Sequence, residues 1–364
     1  MKIDFVNLQQ QYKTYSKDLD KRIYNVIKNS NFIMGKEINE LEKKLENFTN
    51  ANYAITCSSG TDALILAMMA INIQPGDEII TTPFTWISTA ETIAFLKAKP
   101  VFVDIEYDTF NINTELIEAA ITKKTKAIMP VSLFGQPADL KKIQVIANKY
   151  NLKVIVDGAQ SFGSKYNNIM DSTLGNISIT SFFPTKPLGC YGDGGAVFTN
   201  NKIYADRIKM LRIHGQNKPN KHKFIGIGGR LDTIQAAILL GKLPYFSKEL
   251  KNRQKIAELY SKSLSELVRV PTVKENIKSS WAQYTIRVEK REKLKHKLEE
   301  NGIPTSIYYP IALHLQECFR YLKYKKGDFP ISEKASREVI SLPMNSFITK
   351  KQIKYIASVI RENI

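Results

Sequence analysis

The stretch SITSFFPTKPLGCYGDGGAVFT, Ser178 to Thr199, decides the fold. Strand-forming residues run from Ile177 to Phe183, a glycine-rich loop follows from Gly189 to Gly195, and Ala196 to Thr199 reads as a second strand. Between the strands stands Lys186, pinned by Pro184 and Pro187 in a segment too apolar for an ordinary solvated loop. A lysine held this rigidly beside a strand end needs a chemical reason.

The same strand-and-turn pattern continues on both sides. From Tyr53 to about Leu243 the short apolar runs YAITC, EIITT, PVFVDI, AIMPVSL, KVIVD, ISITSFF and GAVFT alternate with segments of helical period such as TDALILAMMAI and LKKIQVIANKY. Fully apolar strands between helices predict an α/β fold with a mainly parallel sheet covered on both faces, in which ligands bind beyond the carboxyl ends of the strands. After Leu243 come a long charged helix, FSKELKNRQKIAELYSKSL, strand-like WAQYTIRV, a further helix and the loop GIPTSIYYPIALHLQ. The expected division is a large domain over 1–245, N-terminal segment included, and a smaller α+β domain over 246–364.

Composition narrows the class. A chain of 364 residues, 43% hydrophobic and 24% charged, can bury a large core. The start MKIDFVNLQQQY lacks a signal-peptide core and no run of eighteen apolar residues occurs, so neither membrane insertion nor export is expected. Cys57, Cys190 and Cys318 are widely spaced with no CxxC pair, which argues against a disulfide framework or a metal site and for a reducing cytoplasm. The net charge of +18 comes from lysines mixed with glutamate, as in NELEKKLENF and REKLKHKLEE, with no basic stripe of interleaved aromatics. A solvated lysine-rich surface is the better reading than nucleic-acid binding, and its field favours a phosphate-bearing small molecule.

The unusual residues fall at strand ends. YAITC runs into SSGTDAL, where Ser58, Ser59, Gly60 and Thr61 open a helix whose free N–H groups would hold a phosphate, although the same residues also read as helix capping. EIITT runs into PFTWIS, leaving Trp86 as either a core residue or a stacking platform. KVIVD ends in Asp157, a carboxylate after three apolar residues that requires a cationic partner. ISITSFF supplies Ser181 and then Lys186. A phosphate cradle, an aromatic plate, a buried carboxylate and a fixed lysine are what pyridoxal 5′-phosphate requires: the lysine amine takes its aldehyde as a Schiff base and the carboxylate keeps its pyridine nitrogen protonated.

The order SSGTDAL, PFTWIST, VDGAQSFG, SFFPTKPLGCYGDGGAVFT, LRIHGQ, GGRLDTIQAAIL and IYYPIALHLQ resembles the DegT/DnrJ/EryC1/StrS family of sugar-nucleotide aminotransferases over essentially the whole chain. The resemblance implies the type I aminotransferase fold and a homodimer with active sites at the subunit interface. It makes Lys186 the Schiff-base lysine, Asp157 the pyridinium partner, Trp86 the stacking aromatic and Gln160 a neighbour of the cofactor's phenolic oxygen, with Gly60, Thr61 and Ser181 as phosphate ligands. SFFPTKPLGCYGDGGA and GRLDTIQAAIL look most like the branch that moves an amino group from L-glutamate to C3 of UDP-2-acetamido-2-deoxy-3-oxo-glucuronate. Amination of another oxo-sugar nucleotide, dTDP-linked or at C4, is the alternative.

For such a substrate Arg212, Arg230, His214, Tyr309 and His314 are the binding candidates. Salt bridges are the competing reading for both arginines and a structural role for His214. Two departures stand out: Gly228 replaces an asparagine that in relatives reaches the cofactor phosphate of the neighbouring subunit, and Tyr308 replaces the histidine of a His-Tyr-Pro motif. Among rival classes, a desulfurase would need a reactive cysteine such as Cys190, which reads better as a small hydrophobe, and a basic binding protein would rest on charge alone.

Overall fold

The computed structural model describes residues 2–364. In chain order the helices are α1 (Leu8–Asn29), α2 (Lys36–Thr49), α3 (Gly60–Ala70), α4 (Ser88–Phe95), α5 (Leu140–Lys149), α6 (Lys202–Leu211), α7 (Thr233–Leu264), α8 (Arg291–Glu300), α9 (Pro330–Glu338) and α10 (Lys350–Asn363). The strands are β1 (Tyr53–Cys57), β2 (Glu78–Thr81), β3 (Lys99–Phe102), β4 (Thr125–Ile128), β5 (Lys153–Asp157), β6 (Lys165–Tyr166), β7 (Ile169–Met170), β8 (Ile177–Ser181), β9 (Gly195–Thr199), β10 (Gln216–Lys218), β11 (Lys221–His222), β12 (Ile277–Lys278), β13 (Tyr284–Arg287) and β14 (Val339–Leu342).

Seven strands form the central sheet in the order β1-β9-β8-β5-β4-β2-β3. The pairs β3–β2, β2–β4, β4–β5 and β5–β8 are parallel, and β9 alone runs against its neighbours β8 and β1. Adjacent residues of one strand enter opposite cores: Ile79, Ala127 and Ile155 pack with α3 and α6 residues such as Leu66 and Ile208, while Ile80, Ile128 and Val154 pack with Ile143 of α5. Both faces are buried, so the strands read as continuous apolar runs.

Because β9 is antiparallel, its first residue lies at the sheet edge where the parallel strands end. Gly195 pairs with Cys57 of β1 and with Ser181 of β8. A Cβ on Gly195 would stand 2.4 Å from the Ser59 carbonyl oxygen, so only glycine allows this close approach. The chain therefore leaves β8, makes the loop bearing Lys186 and returns within the same edge.

β8 ends at Ser181 and not at Phe183 as the apolar run suggests. Phe182 N donates to Gly194 O at 2.7 Å and Phe183 N to Ser181 Oγ at 3.2 Å, so local loop bonds replace the ladder. The long charged helix expected after Leu243 is the later part of one helix, α7, which starts at Thr233 and runs through Pro244. Its second half joins a separate apolar cluster with β13, β14, α8, α10 and Ile3 of the N-terminal segment.

Candidate active site

Ser59, Gly60, Asp157, Ser181 and Lys186 meet at the carboxyl edge of β1, β5 and β8. Ser59 Oγ accepts from Asp62 N at 3.0 Å and caps α3, so the capping reading holds. The cap leaves the next N–H groups at the positive end of α3 free for an anion. Gly60 lies against Ser181, whose Cβ is 2.8 Å from where a Gly60 side chain would begin. Thr61 Oγ1 is 2.9 Å from Ser88 Oγ, and Ser58 N donates to Gly229 O at 3.1 Å, which ties the cradle to the segment carrying Arg230.

Asp157 is 4% exposed at the end of β5. Thr89 Oγ1 donates to its Oδ2 at 2.8 Å and Ala159 N to its Oδ1 at 3.2 Å, so the carboxylate is oriented from α4 and from its own turn. Burial raises its pKa against these bonds and against the attraction of Lys186. Lys186 is part-buried, and its backbone N donates to Phe183 O at 2.9 Å within the proline-flanked turn. Desolvation lowers its ammonium to about 8, with Asp157 pulling the other way.

Trp86 is 58% exposed and so is not a core residue, and its ring lies 6.1 Å from that of Tyr309. Gln160 is buried; its Oε1 accepts from Phe134 N at 2.9 Å and its Nε2 donates to Tyr309 Oη at 2.9 Å. Tyr309, from the loop after α8, thus joins the edge of β5, where burial and the nearby Asp157 raise its phenol's pKa.

Arg230 is part-buried, and no hydrogen bond or ion pair engages its guanidinium among the described residues. His214 is exposed at φ 62, its ring 3.1 Å from where a Gly228 side chain would begin, and its carbonyl accepts from His222 Nδ1 at 2.9 Å.

Two expected substrate residues are placed otherwise. Arg212 is 5% exposed and its Nη1 is spent on Glu42 and on Thr56 O at 2.8 Å, so the salt-bridge reading replaces the substrate one. His314 is 2% exposed, its Nε2 3.1 Å from Glu333 Oε1 and its ring against Phe329, so it supports the C-terminal fold instead of lining the open edge. Cys190 packs in the core and its thiol lies on the Phe182 and Gly192 carbonyls, with burial pushing its pKa up to about 11. That is an inert thiol.

Thr89, Ser88 and Glu42 were not singled out in the sequence. The hydroxyl pair in TWIST, just past a strand end, is the one signal that could have found Ser88 and Thr89; nothing in the sequence marks Glu42. No group of three metal-ligating side chains occurs among the described residues, and no helix there is long and apolar enough to cross a membrane.

The model of the DegT/DnrJ/EryC1/StrS aminotransferase family matches residues 13–361. The chain is 45% identical to the UDP-2-acetamido-2-deoxy-3-oxo-D-glucuronate aminotransferase of Pseudomonas aeruginosa over 98% of this chain and 99% of that one. Its fold matches a DegT DnrJ EryC1 StrS aminotransferase from Brucella abortus with a TM-score of 0.96 at 40% identity, covering 99% of both chains. It matches S. venezuelae DesV, solved in complex with a ketimine intermediate, with a TM-score of 0.97 at 31% identity, covering 99% of this chain and 98% of that one. The chain belongs to the DegT/DnrJ/EryC1/StrS aminotransferase family.

Proposed function

We propose that this family member is a pyridoxal 5′-phosphate-dependent transaminase that moves an amino group from L-glutamate to C3 of UDP-2-acetamido-2-deoxy-3-oxo-D-glucuronate, supplying an amino sugar for surface polysaccharide. The observation that carries the reaction class is the pairing of a part-buried lysine of lowered pKa with the buried Asp157 at one sheet edge. The substrate rests on the likeness to the P. aeruginosa enzyme over nearly the whole chain.

The residues fit the cofactor. The α3 N-terminus with Gly60, Thr61 and Ser181 is a cradle that a Gly60 side chain would fill, and it would hold the phosphate. Trp86 would cover the ring, and Asp157, oriented by Thr89, would keep the ring nitrogen protonated. When bound, the cofactor supplies an electron sink for the bonds at the amine-bearing carbon.

The protein's own work is proton transfer and anion binding. With the cofactor bound, Lys186 Nζ would remove the proton from the α-carbon of glutamate and give it to the carbon that carried the aldehyde; in the second half it would take a proton back from that carbon and deliver it to C3 of the sugar. An amine lowered to about 8 has an appreciable unprotonated fraction near neutral pH, which this shuttle requires. Arg230, with no internal partner, takes an anionic group of the sugar nucleotide, and Tyr309 and His214 border the same opening.

We also read the assembly as a homodimer, supported by the exposed apolar residues Phe32, Ile33 and Met34 beside the start of α7, where Thr233 N donates to Phe32 O at 2.9 Å. The 245/246 division falls inside α7 next to Pro244, so that helix is shared by both domains. Three unpaired cysteines suit a cytoplasmic setting.

The test is visible absorbance of the purified protein. Glutamate should bleach the bound cofactor's yellow band, and the UDP 3-oxo-uronate should restore it. Recovery with a different oxo-sugar nucleotide alone would reassign the acceptor, and failure to bleach would reject glutamate as donor.

A further inference from the structure

A second buried carboxylate lies behind Asp157. Asp171 opens the 3-10 turn Asp171–Thr173 between β7 and β8 and is 2% exposed. Its Oδ1 accepts from Ser132 Oγ at 3.3 Å and its Oδ2 from Ser161 Oγ. Its Oδ2 also lies 3.5 Å from where a Gly158 side chain would begin, directly beneath the residue that follows Asp157.

No cation offsets this charge. The charged side chain that acts on Asp171 is Asp157, from β5. The loop after β4 contributes Ser132, the turn after β5 contributes Ser161, and β8 contributes Ser178, whose Oγ is 3.3 Å from the Asp171 carbonyl oxygen. β9, which packs on the same turn, reads GAVFT and carries no charge. Burial and the like charge of Asp157 push Asp171 up to about 6.

A buried carboxylate without a cation costs stability. An asparagine of the same shape would satisfy both serine hydroxyls without that cost, so the charge itself needs an explanation. The two serines also reach the Asp157 turn through the backbone: Ser132 N donates to Asp157 O at 3.0 Å and Ser161 N to Gly158 O at 3.0 Å.

We infer that Asp171 is a positioning residue that acts through Asp157: it clamps the turn carrying Asp157, and its charge raises the proton affinity of the cationic group that Asp157 faces. The second part rests on the reading of Asp157 as the partner of the cofactor's ring nitrogen. Two carboxylates in one low-dielectric layer hold a facing proton more firmly than one.

The variant Asp171→Asn separates charge from shape, and two measurements read it. In the protein stripped of cofactor, denaturant midpoints are followed from pH 4 to 8. The folded pKa of Asp171, about 6, lies above the ordinary aspartate value of about 3.9. Its ionisation penalty is therefore absent at the acid end, grows as pH rises between those values and is complete above the higher one. Asp171→Asn should gain stability over wild type across that window and hold the gain above it.

In the protein loaded with pyridoxal 5′-phosphate, the pH titration of the visible band should move down by about half a unit, a roughly threefold loss of proton affinity. Superposable titrations, with or without a stability gain, would overturn the proposal and leave Asp171 a structural residue. If Asp171→Asn does not fold, Ser132→Ala removes one hydroxyl donor and keeps Asp171 protonated over a wider range; it should move the visible band's titration down as Asp171→Asn does, while deepening the loss of stability as pH rises instead of relieving it, and an unmoved band overturns the proposal equally. A protein that takes up no pyridoxal 5′-phosphate refutes the reading of Asp157, and with it the tuning role, whereas an unshifted band in a loaded protein refutes Asp171 alone.

Discussion

Gln160 Nε2 donates to Tyr309 Oη at 2.9 Å, a bond that ties the turn after the central strand β5 to the loop after α8 in the C-terminal part of the chain. Gln160 Oε1 is already taken by Phe134 N, so the amide has one fixed orientation and its N–H group points at the phenol. The tyrosine ring is thereby held beside Trp86 at the mouth of the site.

Tyr309→Phe removes the acceptor while keeping the ring. Leaving a buried amide N–H unpaired costs about 1–3 kcal/mol. The expected outcome is a protein that still folds and binds cofactor, with KM for the sugar nucleotide raised several-fold and kcat changed less. Steady-state kinetics on the two half-reactions check this, and an unchanged KM would remove Tyr309 from the substrate side of the site.

The lowered pKa of Lys186 has a kinetic signature. Only the unprotonated amine attacks an aldehyde, so the rate at which cofactor-free protein captures pyridoxal 5′-phosphate should rise with pH and level off above about 8. A solvated lysine would keep rising past pH 10. Stopped-flow absorbance distinguishes the two. Lys186→Ala should lose covalent capture altogether and at least roughly 10³-fold in turnover.

Gly60→Ala places a methyl group 2.8 Å from Ser181 Cβ and closes the cradle at the α3 N-terminus. We expect cofactor affinity to fall by tenfold or more, with thermal stability of the cofactor-free protein falling less. Fluorescence titration with pyridoxal 5′-phosphate measures it; an undiminished affinity would mean that the phosphate is held elsewhere.

Arg212 and Glu42 form a buried pair, side chains 6% and 10% exposed, and Glu42 Oε1 also accepts from Thr56 N at 2.9 Å. Arg212→Ala strands the Glu42 carboxylate and should cost about 3–5 kcal/mol, read as a lowered denaturant midpoint. Arg212→Ala combined with Glu42→Gln should recover much of that loss. The substrate KM of whatever folded protein remains should match wild type, in contrast to Arg230→Ala, for which it should rise.

Lysine between two prolines, aspartate after three apolar residues and Ser-Ser-Gly-Thr before a helix were all legible, because each breaks a local rule: a polar or conformationally special residue stands where burial or regularity is expected. The alternation of apolar runs with helical segments likewise disclosed a sheet buried on both faces. The sequence could not separate Arg230 from Arg212, since both are arginines near glycine turns. Their difference is the carboxylate of Glu42, which α2 brings to Arg212 from 170 positions away.

By itself, then, the chain's order determined the fold class and the residue types at the sheet edge, because strand period, turn chemistry and the cost of burying a charge are local properties. Which side chains remain free to act was decided only by tertiary structure. Packing spends Arg212 on Glu42 and His314 on Glu333, orients Asp157 through Thr89, brings Tyr309 to Gln160, and sets Asp171 behind Asp157 with no cation to offset it. Each of those outcomes depends on a partner distant in sequence, and hydrogen bonding and desolvation act on the neighbours a group has in space.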